Sequence, residues 1–202
     1  MRRWCGLALG LLMAASPRKA SATVGGPETV EALGWNSKTQ VAYFAIHFED
    51  ETGRNPRIVG IPTVGNRRGQ TFVLAWSRTE GPDSLYDRAL HSLRGGLKPL
   101  PLLYGRALLL RPQIVHADTL TQGDEKWPRF RLRAWARPGT VECVAYCSTA
   151  LAIIQHFGVP GRKDRFAIAA FRGVPFEECY ETQVPFLMAA EGETVELKAN
   201  PQ

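Results

Sequence analysis

The residues best suited to chemistry form an alternating run near the middle of the chain. Every second position from 129 to 137 holds a cation or an aromatic ring: Arg129, Arg131, Arg133, Trp135 and Arg137. Planar guanidinium groups match the geometry of phosphate and carboxylate groups, and an indole ring offers a stacking surface. The run therefore predicts a surface that binds an anion.

A solvated strand face is the alternative explanation of the same run. In that case the arginines discourage edge pairing and meet acids across the sheet, either Glu142 or an acidic cluster further along the chain. The acidic cluster comprises Glu177, Glu178 and Glu181.

The sequence gives weaker support to catalytic residues than to an anion-binding surface. His47, His116 and His156 are potential acid-base groups, but none lies in a nucleophile elbow, a paired-histidine zinc motif or a phosphate loop. The acidic cluster offers paired carboxylates for glycoside hydrolysis, a role that depends on a separation invisible in sequence. No catalytic residue is predicted.

Three cysteines follow the alternating run. Cys143 and Cys147 lie four residues apart, about 13 Å along a strand, whereas a disulfide needs Cα atoms within about 7 Å. If an intramolecular disulfide forms, it joins one of them to Cys179, and Cys147–Cys179 is favoured because it closes the smaller loop and lies farther from the hairpin turn. Three buried thiols remain the alternative. The spacing, with His156 downstream, does not match a structural zinc site, so no metal or cofactor is predicted.

A β-hairpin must position the alternating run. A two-residue turn at Pro138-Gly139 would pair Ala136 with Val141, Ala134 with Cys143, Leu132 with Ala145, and Phe130 with Cys147. These side chains are all apolar or contain sulfur, whereas the opposite face carries the arginines and Trp135. Both strands therefore predict the same buried face.

The rest of the chain predicts a mainly β (α+β) fold, with antiparallel sheets in a sandwich-like meander and one or two short helices. Alternation at 40–50 predicts the first strand, two further strands complete a meander, and a capping box at Ser84 begins a helix that Gly95 ends. Residues 118–128 are polar and predict a surface loop, while residues 97–117 stay undecided except for a strand near 108–116. Further strands are predicted at 150–155, 165–171, 184–188 and 194–198.

The amino terminus has the features of a secretory signal peptide. Arg2 and Arg3 precede an apolar run at 6–15, and Ala20-Ser21-Ala22 offers a cleavage site. The run is shorter than the roughly 18 residues that span a bilayer, so no transmembrane helix is expected in the mature form. We expect a signal peptide at 1–22, a single β-rich domain at 23–202, and a periplasmic or secreted protein.

Net charge gives no reason to expect a nucleic-acid partner. The full chain has 25 basic and 19 acidic residues, but four of the bases and none of the acids lie in residues 1–22. The remainder carries 21 bases against 19 acids, and its net charge of +2 is too small to indicate nucleic-acid binding.

The segment Leu33-Gly34-Trp35-Asn36-Ser37-Lys38, followed by Val41-Ala42-Tyr43-Phe44, resembles a motif of bacterial predicted secreted proteins of unknown function. Their first strand starts with a G-[FW]-S-P-D-G-like turn, which also occurs in blades of TolB-type propellers. This chain has Asn36-Ser37-Lys38 where Ser-Pro-Asp-Gly is expected, and it has no repeated blade. The resemblance implies export and β structure and carries over no catalytic residues.

Two classes of function follow. The first is a non-catalytic binding or assembly module of the cell envelope, whose partner is an anionic envelope component or another envelope protein. The alternative is a small extracytoplasmic hydrolase that acts on envelope material with a histidine or paired carboxylates.

Overall fold

A computed structural model describes residues 26–49, 56–76, 85–103, 107–175 and 179–199, so the predicted signal peptide lies outside the described residues. Within these ranges the chain is mainly β, as the sequence predicts. One helix, α1 (Leu85–Arg94), interrupts the strands. The strands are β1 (Glu28–Asn36), β2 (Val41–Phe48), β3 (Arg57–Pro62), β4 (Phe72–Trp76), β5 (Leu108–Leu109), β6 (Gln113–Gln122), β7 (Glu125–Ala136), β8 (Gly139–Tyr146), β9 (Leu151–Gly158), β10 (Arg165–Val174), β11 (Tyr180–Leu187) and β12 (Thr194–Leu197).

The strands form two sheets that are mostly antiparallel. The larger has the order β4-β3-β2-β1-β11-β10-β9-β5, and the smaller has the order β12-β8-β7-β6. In the larger sheet, β1 meets β11 in parallel at one residue pair, Glu28 and Thr182. Both residues are buried, and the Thr182 hydroxyl donates a hydrogen bond to Glu28 Oε2. This pair joins two four-stranded halves of the sheet.

The two halves pack against each other, and the smaller sheet packs on the far side. The Phe44 ring on β2 meets Phe157 on β9 and Phe166 on β10 edge to face, at centroid distances of 6.4 and 5.6 Å. The other face of β9–β11 shares a core with β7 and β8, which includes Leu132 and Cys143. The strands β9–β11 therefore form the middle layer of a three-layer sandwich, and most of β10 is buried on both faces.

The helix α1 covers the outer face of the β2–β3–β4 meander. Tyr43, Ile58 and Ala75 on that face pack with Ala89 and Leu93 of the helix. The sequence predicted one strongly apolar face for β2, and the helix explains why residues on both of its faces are buried.

The β7–β8 hairpin has the predicted faces but a different register. The predicted pairs Ala136–Val141, Ala134–Cys143, Leu132–Ala145 and Phe130–Cys147 are wrong by two residues. The loop residues are Arg137 and Pro138, joined by a cis peptide bond, rather than Pro138 and Gly139. An even shift keeps each side chain on its predicted face. The observed pairs are Ala136–Gly139, Ala134–Val141, Leu132–Cys143 and Phe130–Ala145.

The predicted surface loop at 118–128 is also wrong. Strands β6 and β7 continue through this region as a hairpin that turns at Gly123, whose φ is +61°. Most of the β6 side chains are exposed, so the strand needs no apolar face and its sequence resembles a loop.

The remaining predictions fall close to the observed elements. The meander, the helix and strands β9 to β12 lie where they were predicted, whereas β1 was not predicted. In the undecided region 97–117, Lys98 and Leu102 form single bridges before the short strand β5. No described helix is long and apolar enough to cross a membrane.

Candidate functional site

A cleft of about 710 Å³ opens where four separate chain segments meet. The β7–β8 turn, the β9–β10 turn, the residues after β11 and the β3–β4 loop each contribute to it. We call it the cationic cleft. Its lining residues are Arg68, Trp135, Arg137, Pro138, Lys163, Asp164, Arg165, Met188, Ala189, Ala190 and Glu191.

Close backbone packing holds the β7–β8 turn against the segment that follows β11. A Cβ atom on Gly139 would lie 2.4 Å from the Ala189 Cβ and 2.7 Å from the Glu193 carbonyl oxygen, so glycine permits this approach. The Thr140 N–H also donates a hydrogen bond to the Glu193 carbonyl at 2.9 Å. These contacts place Arg137 and Trp135 beside the floor of the cleft.

The opposite wall comes from the β9–β10 turn. Gly161 has a φ of +74°, which a glycine adopts without strain, and the Arg162 N–H donates to the Val159 carbonyl at 3.0 Å. The Met188 N–H donates to the Arg165 carbonyl at 2.9 Å. The turn therefore presents Lys163 and Arg165 next to the residues that follow β11.

Asp164 neutralises part of this wall. Its carboxylate accepts a hydrogen bond from Arg162 Nε at 2.6 Å and another from Arg68 Nη2 at 3.3 Å. Arg68 also lies 3.7 Å from a Glu193 carboxylate oxygen. In the part of the chain that the structure describes, no acid lies within ion-pair distance of Arg137, Lys163 or Arg165. These three cations are available to a ligand.

The five residues of the predicted anion-binding surface have different surroundings. Arg129 donates to both Asp118 carboxylate oxygens, at 2.7 and 2.5 Å, and Arg133 Nε donates to Glu142 at 2.6 Å. These two arginines fit the alternative explanation of a solvated, paired strand face. Arg131 is exposed on that face and has no ion pair within the described ranges. Trp135 and Arg137 alone of the five line the cationic cleft.

The hydrogen bonds between Arg129 and Asp118 shift the pKa values of both side chains. Hydrogen bonding to Arg129 lowers the pKa of the Asp118 carboxyl to about 2, with a smaller contribution from His116. The same hydrogen bond raises the pKa of Arg129. Each partner therefore stays charged at neutral pH.

The sequence did not reveal that Arg68, Lys163 and Arg165 belong to the site. Each lies in or next to a turn, where charged residues are common, and the turns meet only after the layers pack. No signal in the sequence connected these turns to Trp135.

The cysteines form the favoured bond. Cys147 and Cys179 are joined by a disulfide with Cα atoms 6.2 Å apart, which ties the end of β8 to the start of β11. Cys143 is a free thiol in the core between the smaller sheet and the middle layer, and burial raises its pKa to about 12. Of the two open alternatives, the structure therefore has the disulfide rather than three thiols.

None of the predicted acid-base histidines lines the cleft. His47 Nε2 is 3.2 Å from Glu31, and His116 Nε2 is 3.4 Å from Asp118; His47 is half-buried and His116 is exposed. Burial, with a smaller contribution from the Arg165 charge, lowers the pKa of His156.

The acidic cluster falls partly outside the described residues, which exclude Glu177 and Glu178. The remaining member, Glu181, is exposed on β11 and does not line the cleft. Among the described side chains, no three His, Cys, Asp or Glu residues come together as metal ligands.

A second groove, of about 850 Å³, runs between β4 and β12. Its walls are largely aliphatic, and its charged side chains form pairs: Arg68 lies near Glu193, and Lys198 Nζ is 3.2 Å from Glu196. The cationic cleft differs because its cations outnumber the acids that contact them.

Comparison with known proteins found no matching protein family, no matching characterised protein and no matching solved structure.

Proposed function

We propose that the protein is a non-catalytic binding module of the bacterial cell envelope, exported to the periplasm or secreted, and that its cationic cleft binds an anionic envelope component. The observation that carries the proposal is the convergence of Arg137, Lys163 and Arg165 beside Trp135 with no acid paired to these cations among the described residues. Unpaired cations in a concave site favour an anionic ligand, because a bound carboxylate or phosphate replaces the missing partner.

The disulfide supports the proposed compartment. Such bonds persist in oxidising environments such as the periplasm or the exterior, and they are rare in the cytosol. The sequence features of a signal peptide in residues 1–22 agree with that location.

Binding is favoured over hydrolysis because of where the potential acid-base groups lie. Neither histidine–acid pair lines the cleft. Two carboxylates line the cleft. Asp164 is held by Arg162 and Arg68, which commits its oxygens to ion pairs, and Glu191 is exposed with no histidine among the lining residues. A binding role requires no reacting pair.

Paired charge removal tests the proposal. Arg137→Gln/Arg165→Gln removes two cleft cations, and Arg131→Gln/Arg111→Gln removes the same charge from exposed positions outside the cleft. We expect the cleft variant to lose at least about tenfold in retention on isolated bacterial envelopes at low salt, with the control close to the unsubstituted protein.

Two results would count against the proposal. Equal retention of the cleft variant and the unsubstituted protein would remove the cleft from the binding surface. An equal loss in both double variants would show that net charge, rather than the cleft, drives retention. Circular dichroism of each variant checks that the fold is retained.

A further inference from the structure

Trp135 is an unusual side chain to leave in a charged cleft. The residue is 56% exposed, and its partner across the hairpin is Thr140, which is too small to cover the indole ring. A large apolar surface left open in a concave site is typical of ligand contact rather than of stability.

The cleft floor next to this ring is also apolar. Met188 and Ala189 line it, Pro138 of the β7–β8 turn adds a third apolar side chain, and the unpaired cations lie on the turns at either side. A small inorganic anion would use the cations and leave the indole and the floor exposed to water. The cleft therefore fits a ligand that combines an anionic group with a flat, weakly polar face.

We infer that the ligand is an anionic saccharide, a pyranose that bears a carboxylate or a phosphate, with its C–H face on the Trp135 indole and its acidic group at Arg137 and Arg165. This inference rests on the proposed function, because envelope polymers are the anionic partners that an exported protein meets. The cleft volume lies within the roughly 300–1,000 Å³ of small-molecule sites.

A lipid or a nucleotide fits the cleft less well. A lipid needs an apolar channel for its acyl chains, and the apolar lining here is confined to a short floor. A nucleotide would stack its base on the indole, and the net charge of +2 outside residues 1–22 gives little general attraction for polyanions. The nucleotide alternative becomes an outcome of the test.

Calorimetric titration of the purified protein separates these ligands. The probes are glucose 6-phosphate and digalacturonate, with maltose as the neutral control, inorganic phosphate as the control without a sugar, and AMP as the nucleotide. We expect at least one anionic saccharide to bind about tenfold more tightly than inorganic phosphate, and maltose not to bind. The two saccharides differ in their acidic group, so their order of affinity identifies a phosphate or a carboxylate ligand.

Substitution of the ring isolates its contribution. Trp135→Ala should weaken the anionic saccharide about tenfold and leave inorganic phosphate unchanged, while Trp135→Tyr should restore most of the affinity. Arg137→Gln/Arg165→Gln should weaken both ligands. Because Trp135 is exposed, loss of the fold is not expected, and the unchanged phosphate affinity confirms an intact site.

The outcomes distinguish the two proposals. If inorganic phosphate binds as tightly as both saccharides, or if AMP binds more tightly than either, the saccharide inference is overturned and an anion-binding cleft survives. If Trp135→Ala has no effect on the saccharide, the inference falls in the same way. If no anionic probe binds, both the saccharide inference and the proposed function fail.

Discussion

At the scale of single residues, the arginines of β7 and its turn differ in their neighbours rather than in their chemistry. Alternation in the sequence correctly placed them on an outward face, but it could not show which of them are free to bind a ligand. Arg129 pairs with an acid on β6, a strand whose polar sequence predicted a loop. Arg137 leaves the strand face altogether and lines the cleft. Availability for a ligand therefore depends on cross-strand neighbours that alternation alone does not reveal.

Titration of Asp118 tests its ion pair with Arg129, which makes Arg129 unavailable to an anionic ligand. Its pKa of about 2 lies below the ordinary value of 3.8, so stability from the ion pair is fully present above about pH 4 and is lost as the pH falls through 2. Arg129→Gln should raise this pKa by about 1 unit or more in a carbon-detected NMR titration. Arg133→Gln, on the same face, should leave it unchanged. An unshifted Asp118 in the Arg129 variant would contradict the assigned cause.

Cys143 should be unreactive while the protein is folded. The thiolate is the nucleophilic form, and burial both raises its pKa to about 12 and excludes reagents. We expect iodoacetamide at pH 8 to leave Cys143 unmodified in the native state and to modify it in urea, as read by peptide mapping. Rapid native-state labelling would contradict its place in the core.

At the scale of elements, the sequence predicted strands well where one face is apolar, as in β7 and β8. It missed β1, whose residues include the buried Glu28 and Gly34, and neither fits an apolar strand pattern. It also missed the hairpin tip of β6 and β7, because strands exposed on both faces carry polar residues throughout. The predicted register of the β7–β8 turn was wrong for a different reason. Pro138 and Gly139 are both common in turns, so the sequence placed both in the loop, whereas the close contacts of Gly139 show that it belongs to β8.

Gly139 is expected to be the least replaceable residue of that turn. A Cβ there meets Ala189 and two backbone carbonyl oxygens at under 3 Å, so Gly139→Ala should force the turn away from the cleft floor. We expect the free energy of unfolding to fall by about 1–3 kcal/mol in urea titration. Gly95→Ala, where a Cβ meets no atom within 4 Å, is the matched control. Equal stability of the two variants would contradict the close packing of the turn.

At the scale of the whole molecule, the sequence could predict the β class and two of the cleft residues, Trp135 and Arg137. It could not predict Arg68, Lys163 or Arg165, because the site is assembled from four segments that together span about 120 positions of the chain. Strand periodicity is local, whereas the cleft depends on how three layers stack. The disulfide is an exception, because strand geometry alone excluded the pairing of Cys143 with Cys147.

The Cys147–Cys179 bond should stabilise the stacking of the smaller sheet on the middle layer. It closes a loop with a sequence separation of 32, for which the loss of chain entropy in the unfolded state gives about 4 kcal/mol. Cys147→Ala/Cys179→Ala should lower the free energy of unfolding by about that amount. The measurement is urea unfolding of this double variant beside the oxidised, unsubstituted protein. A midpoint unchanged by the loss of the bond would contradict this role.

We propose that anions bind in the cationic cleft rather than on the arginine face of β7. NMR titration of ¹⁵N-labelled protein with glucose 6-phosphate tests it directly. We predict that the Trp135 Nε1–H and the Nε–H signals of Arg137 and Arg165 shift together with one dissociation constant, while those of Arg129 and Arg133 stay in place. Shifts confined to Arg129 and Arg133, or no shift at the cleft signals, would contradict the claim.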